Sequence, residues 1–221
     1  DKLVPSEERP PSSDRPPASS DRPPASSDRP PPLCVHRGAA DTRRLRARVL
    51  AMSADEWTDD SQERQGNATL TRAAHDRIGV RKVVFAFSDD LLTTVVRMKW
   101  WGDWRDELRD VFASLGVDPA TVVRCMLARL PPKTHIGIHH DTGRWATLSH
   151  RVHVPVLTDP AKVVFRSGPG GGRPLRRFAF AQDQAFELNN RAKHQVYNGW
   201  DRDRVHLIFD WVPSPAVLRT V

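Results

Sequence analysis

Six of the nine histidines in this chain fall between residues 135 and 194, and the densest stretch is His139-His140-Asp141. Side chains two apart on a β-strand point to the same face. A strand here would set His139 and Asp141 side by side and turn His140 away. An imidazole and a carboxylate suit a divalent ion such as Fe(II). A second histidine from a remote strand would complete a two-His, one-carboxylate facial triad with open coordination positions. His194, in the stretch Asn189-Asn190-Arg191-Ala192-Lys193-His194-Gln195-Val196, lies between two β-like segments and is the candidate. His-x-Asp alone arises by chance in many proteins; the ordered set is far rarer.

Two further pieces extend the set. Ten residues after His194, Arg204 opens the run RVHLIFDWV. An arginine there can grip, bidentately, a carboxylate that the metal does not reach. 2-Oxoglutarate carries such a group, since one end chelates iron and the other needs a cation. In His150-Arg151-Val152-His153-Val154-Pro155-Val156, strand alternation puts Arg151 and His153 on one face. Turned inward, they would be costly without an anion to meet them. Taken singly, each of these side chains reads equally well as an ordinary solvated or hydrogen-bonded residue.

The elements that must hold these groups are mostly short strands. Beyond Pro119, β-rich runs at Thr121–Leu130, His135–His140, His150–Leu157, Val163–Phe165, Arg177–Ala181, Ala185–Leu188 and Val205–Val212 alternate with Pro, Gly, Asp and Asn clusters, the texture of a sandwich or barrel. Ahead of them, Asp41-Thr42 and RRLRARVLAM read as a capped basic helix, and Val80–Phe87 as a strand. Trp101–Leu115 reads as an amphipathic helix ending at Gly116, with Trp104, Leu108, Val111, Phe112 and Leu115 as core. Residues 53–78 are polar and ambiguous. These helices are expected to pack on one outer face of the β core. The loop Ser167–Arg173 is glycine-rich but lacks the Gly-Lys-Ser/Thr of a phosphate loop and reads as a hairpin connection. Arg173, Arg176 and Arg177 beside it read as a solvated loop.

Residues 5–33 are of low complexity; from Ser12 to Pro32 the unit SSDRPPA recurs with a period of seven, its last copy ending in Pro, and no position is reliably apolar. Paired prolines exclude helix interiors and favour extended polyproline II, and such a segment buries too little to offset its ordering entropy. The expected organisation is a tail over 1–40, a helix-and-strand support region over 41–118, and a β core over 119–221. The first 40 residues hold equal numbers of basic and acidic side chains, so the net charge of +7 belongs to the rest. With no nucleic-acid module and no dense basic helix, that excess reads as an arginine-rich surface, and no nucleic-acid partner is expected. Cys34 and Cys125 form no Cys-x-x-Cys pair, which argues against a disulfide scaffold and fits a reducing cytoplasm. No apolar run reaches the ~20 residues of a membrane span, and no signal-peptide pattern is present.

From about residue 120 to 212 the chain resembles the aspartyl/asparaginyl β-hydroxylase family. The stretches that carry the likeness are Arg129–Asp141, His150–Val156, Phe186–Asn190 with His194 and Asn198, and Arg204–Asp210. Between Trp57 and Gly116 the similarity is loose. The resemblance implies a mostly β fold with flanking helices around a double-stranded β-helix (a jelly-roll, cupin-like core). It also implies an oxidative chemistry that uses Fe(II), 2-oxoglutarate and O2. By position, His139 and His194 match the family's iron histidines, and Arg204 matches the arginine on the distal carboxylate of 2-oxoglutarate. Arg151 and His153 match residues lining the cosubstrate pocket. Asn189, Asn190, Asn198 and His206 are supporting candidates, although Asn189 and Asn190 read equally well as turn residues. Asp141 departs from the animal members, which lack a carboxylate ligand there; the related proline hydroxylases keep it.

Three functions compete at this point. The first is hydroxylation of an aspartyl, asparaginyl or similar residue in a protein or peptide. The second is hydroxylation of a free or carrier-bound amino acid in a biosynthetic pathway. The third is a non-catalytic β-barrel binding module.

Overall fold

Alternation of apolar and polar side chains resolves into two antiparallel sheets. The computed structural model describes residues 32–57 and 73–214. The larger sheet has seven strands in the order β1 (Cys34–Ala39), β9 (Gln184–Leu188), β6 (His150–Leu157), β11 (Arg204–Trp211), β4 (Val122–Leu130), β2 (Arg81–Ser88) and β3 (Val95–Arg97). The smaller has four, in the order β5 (His135–His139), β10 (Lys193–Asn198), β7 (Val163–Gly168) and β8 (Arg176–Phe178). Side chains from both sheets line one cavity. The architecture is the expected double-stranded β-helix, mostly β with a few helices.

Strand parity decides what faces where. On β6, Val152, Val154 and Val156 join the main hydrophobic core, and so do Val205, Leu207 and Phe209 of β11. Their neighbours in sequence, Arg151, His153, Arg204 and Ile208, turn to the cavity. The outer apolar face is covered by two helices, α1 (Arg43–Ala51) and α3 (Arg105–Ser114), after a short intervening helix α2 (Ala73–Arg77). Leu45 and Val49 of α1 and Leu108, Val111 and Phe112 of α3 are buried there, with Phe112 edge-on to Phe209 at 5.1 Å between ring centroids. Each such side chain contributes about 1.5–3 kcal/mol of burial. Asp106 and Glu107 sit at the N-terminal turn of α3, where acids oppose the helix dipole favourably. Gly116, at φ +65°, closes the helix in a conformation that side chains disfavour. Among the described residues no helix is long and apolar enough to cross a membrane.

The structure departs from the sequence expectations at several places. Residues 34–39, expected in the tail, form β1 and pair antiparallel with β9, and the compact unit runs from Pro32. Four of the six β1 residues are exposed, so backbone pairing rather than apolar patterning makes this strand. The SSDRPPA repeats up to residue 31 lie outside the described residues. The helix expected from Trp101 begins at Arg105, because Lys99–Trp101 forms a separate 3-10 turn. The strand expected at Val163–Phe165 runs on to Gly168, and the segment expected at Arg177–Ala181 is the short β8. The Ser167–Arg173 loop joins β7 to β8 as a hairpin connection, with Gly170, Gly171 and Gly172 all at positive φ.

Candidate active site

His139 is the last residue of β5, and His194 lies near the start of β10. The two are Cα partners across the β5–β10 ladder. Their rings are 4.2 Å apart between centroids. Each ring is pinned in the same way: His139 Nδ1 bonds to the Gly137 carbonyl at 2.8 Å, and His194 Nδ1 to the Ala192 carbonyl at 2.9 Å. A carbonyl only accepts, so Nδ1 donates and Nε2 is the nitrogen left to face a metal. Burial lowers the pKa of His194 more than the Ala192 carbonyl raises it, which favours the neutral ring that a metal requires.

Asp141 reaches the same point by a different route from the one strand parity suggests. The strand stops at His139, and Asp141 lies in the following turn. Its amide donates to the Asn190 carbonyl at 2.9 Å, tying this turn to the one that leads into β10. One donor atom each from His139, Asp141 and His194 lies within 4.8 Å of the other two. Two imidazole nitrogens and one carboxylate oxygen at that spacing fit a divalent iron.

Arg204 stands across the cavity wall. It is 4% exposed and, among the described residues, has no carboxylate partner; its Nε has no hydrogen-bond partner. Burial alone pushes its pKa down to about 9. A buried cation with an unmet donor is costly unless an anion completes it, and the distal carboxylate of 2-oxoglutarate is such an anion. Its Nη2 donates to His206 Nδ1 at 2.8 Å, so His206 is neutral with the proton on Nε2. Burial and then Arg204 lower the His206 pKa, and the same two causes lead at His153, 3.5 Å from His206 between Nδ1 atoms. The cavity, of about 140 Å³, is walled by Val84, Met126, Ile136, Phe165, Val196 and Ile208, comparable to one that admits benzene.

Arg151 departs from expectation. It lies on the cavity wall, but its guanidinium is taken by two acids: Nε and Nη2 hold Asp210 at 2.8 and 2.9 Å, and Nη1 holds Asp141. Its hydrogen-bonding edge is therefore engaged by Asp141 and Asp210. Asn198 is likewise structural. Its amide donates to the carbonyls of Leu130, Pro131 and Arg202, and its oxygen accepts from the Trp200 amide. Asn189 is a turn residue, its carbonyl accepting from the Ala192 amide. Asp210 was missed, although its parity with Arg204 and His206 on β11 puts it on the inward face. His75, Lys82 and Arg124 also line the cavity unforeseen, because nothing local marks a single basic residue as facing a distant site.

A double-stranded β-helix that gathers two histidines and a carboxylate beside a buried arginine has the architecture of the Fe(II)- and 2-oxoglutarate-dependent oxygenases, which consume O2. Residues 108–213 match the family model described as aspartyl/asparaginyl beta-hydroxylase. This segment, just under half of the chain, holds every residue of the site described above except those contributed by α2 and β2. No curated protein matches the chain. Among solved structures, a 2OG-Fe(II) oxygenase-family oxidoreductase from Burkholderia pseudomallei shares 18% identity over 60% of this chain and 66% of its own, with a TM-score of 0.45. The chain thus spans just under two thirds of that protein. A non-haem monooxygenase, ThoJ in a nickel complex, shares 16% over 81% of this chain and 73% of its own, at 0.45. A prolyl-4-hydroxylase from Pseudomonas putida shares 14% over 82% and 93%, at 0.42.

Proposed function

We propose that this protein hydroxylates a C–H bond of an aspartyl, asparaginyl or similar residue in a protein or peptide, with His139, Asp141 and His194 holding the iron. The convergence of those three donors within 4.8 Å, in a cavity also lined by a buried arginine that has no carboxylate partner among the described residues, carries the reading. When bound, Fe(II) with 2-oxoglutarate and O2 supplies the oxidising power to break an unactivated C–H bond. The chain's own residues supply position and surroundings. Nδ1–carbonyl bonds aim both imidazoles, and Arg151 holds Asp141. Arg204 takes the distal carboxylate, and neutral His206 keeps the guanidinium in place. Apolar walls keep water from the reacting centre.

The lining beyond Arg204 is basic: Lys82, Arg124 and Arg129 face the cavity, each with an acidic partner at its edge in Asp76, Asp90 and Asp203. That balance supports a substrate with a carboxylate or a carboxamide. Asp141 favours a second reading, hydroxylation of a free or carrier-bound amino acid, since the resemblance ties a carboxylate at this place to the proline hydroxylases. Cys34 and Cys125 are both free thiols, which supports a cytoplasmic setting. Incubating the Fe(II)-loaded protein with 2-oxoglutarate and, in parallel, a peptide library and an amino-acid panel tests the proposal. One added oxygen atom in a peptide, with matching succinate, supports the first reading. An oxygen added only to a free amino acid supports the second. Metal-replete protein that forms no succinate in either arm overturns both.

A further inference from the structure

Asp210 belongs to none of the metal donors, yet it is fully buried at the end of β11. Its Cα partners are Arg151 on β6 and Arg124 on β4. Both of its oxygens are engaged by Arg151, Oδ1 from Nε and Oδ2 from Nη2. This side-on fork fixes the guanidinium plane. One end of that plane, Nη1, remains directed at Asp141 and engages Oδ2 alone. Trp145, itself buried, supports the arrangement from one side, with its ring 4.5 Å from the Arg151 guanidinium carbon and 4.0 Å from that of Arg124.

The charges explain why a second acid is needed. Facing Asp141 alone, a guanidinium would turn to close on the carboxylate bidentately, covering both oxygens and competing with a metal. Asp210 occupies the forked edge of Arg151 and leaves a single N–H to steady Asp141. We propose that Asp210 is a positioning residue for the metal centre: through Arg151 it holds Asp141 in the rotamer that presents an oxygen to the ion, and it prevents Arg151 from sequestering that carboxylate. The inference rests on the reading of His139, Asp141 and His194 as the iron site.

Calorimetric titration of the full chain with Mn(II), without oxygen chemistry, separates the two. Wild-type protein that binds no Mn(II), or binds it equally well as His139→Ala, overturns the underlying reading and this inference with it. If wild type binds, Asp210→Asn is expected to weaken Mn(II) affinity about 10-fold or more, the usual range for a group that orients a ligand. Asp141→Ala/Asp210→Asn should match Asp141→Ala alone, because Asp210 acts only through Asp141. A folded Asp210→Asn with unchanged affinity, or an equal further loss on the Asp141→Ala background, overturns the proposal; a purely structural role would lower the melting temperature without this pattern. Should Asp210→Asn fail to fold, a crystal structure of wild type with Mn(II) decides. Arg151 bridging Asp210 and a metal-bound Asp141 is expected, and a metal-bound Asp141 detached from Arg151 overturns it.

Discussion

Arg204 and His206, two apart on β11 and both buried, share a 2.8 Å hydrogen bond in which the guanidinium donates to the imidazole. This pair accounts for how a cation survives inside the jelly roll with no carboxylate partner among the described residues. The neighbouring ring gives it one neutral acceptor, and the rest of its hydrogen-bonding capacity waits for a ligand. The cost of that arrangement is borne by the unliganded protein.

A prediction with opposite signs follows. Arg204→Met removes the buried charge and keeps most of the volume. It should raise the stability of the ligand-free protein by about 1–3 kcal/mol, as replacing buried ionic groups by apolar ones often does. It should also weaken 2-oxoglutarate binding about 100-fold or more, while leaving Mn(II) affinity within about 3-fold, on the scale of 2–5 kcal/mol for truncating one partner of a buried charge pair. Chemical denaturation and calorimetry measure the two effects. A destabilised Arg204→Met with normal 2-oxoglutarate binding would show that the arginine is structural.

Asn198 separates scaffold from site. Its side chain bonds two carbonyls at the end of β4, and one carbonyl and one amide in the β10–β11 loop. Asn198→Ala should cost about 2–3 kcal/mol, because buried carbonyls lose their donor, and should leave the Mn(II) affinity of the folded protein unchanged. Urea denaturation beside metal titration checks both halves. A metal affinity that falls while stability holds would place Asn198 in the centre after all.

Stability should fall on mild acidification. His153 and His206 have pKa values held well below the ordinary 6.5, first by burial and then by Arg204. Below pH 6.5 the unfolded chain takes up protons at these positions and the folded chain does not. Their contribution is therefore complete above about pH 6.5 and is lost as the pH drops below it. The slope approaches about 1.4 kcal/mol per pH unit for each histidine. Denaturation midpoints between pH 7.5 and 5.5 read it, and His206→Phe should flatten the profile; an unchanged slope in that variant would contradict the assignment of the effect to burial of this ring.

Much of the β core and most of the site were legible because they rest on alternation. The inward parity of Arg151 and His153 and the outward parity of Val152, Val154 and Val156 follow from period two alone, and the structure places them so. What was not legible depended on partners remote in sequence. The β10 strand, KHQVYN, carries no apolar signature, and its pairing with β5 and β7 makes it a strand. Strand alternation set Asp141 beside His139, but the strand ends at His139, and the loop after it and the Asn190 carbonyl position Asp141. Arg151 was assigned to a cosubstrate because its face was readable while Asp210, 59 residues away, was not seen to share it.

His139, Asp141 and His194 are expected to bind one ion, with Arg204 ready for the cosubstrate. Anaerobic calorimetry with Mn(II) followed by 2-oxoglutarate tests it in one experiment. The account predicts one Mn(II) per chain, loss of that binding in His139→Ala and in His194→Ala, and 2-oxoglutarate binding that tightens when the metal is present. Wild-type protein that takes up no metal, or that binds it with the same affinity after either histidine is removed, would contradict the account.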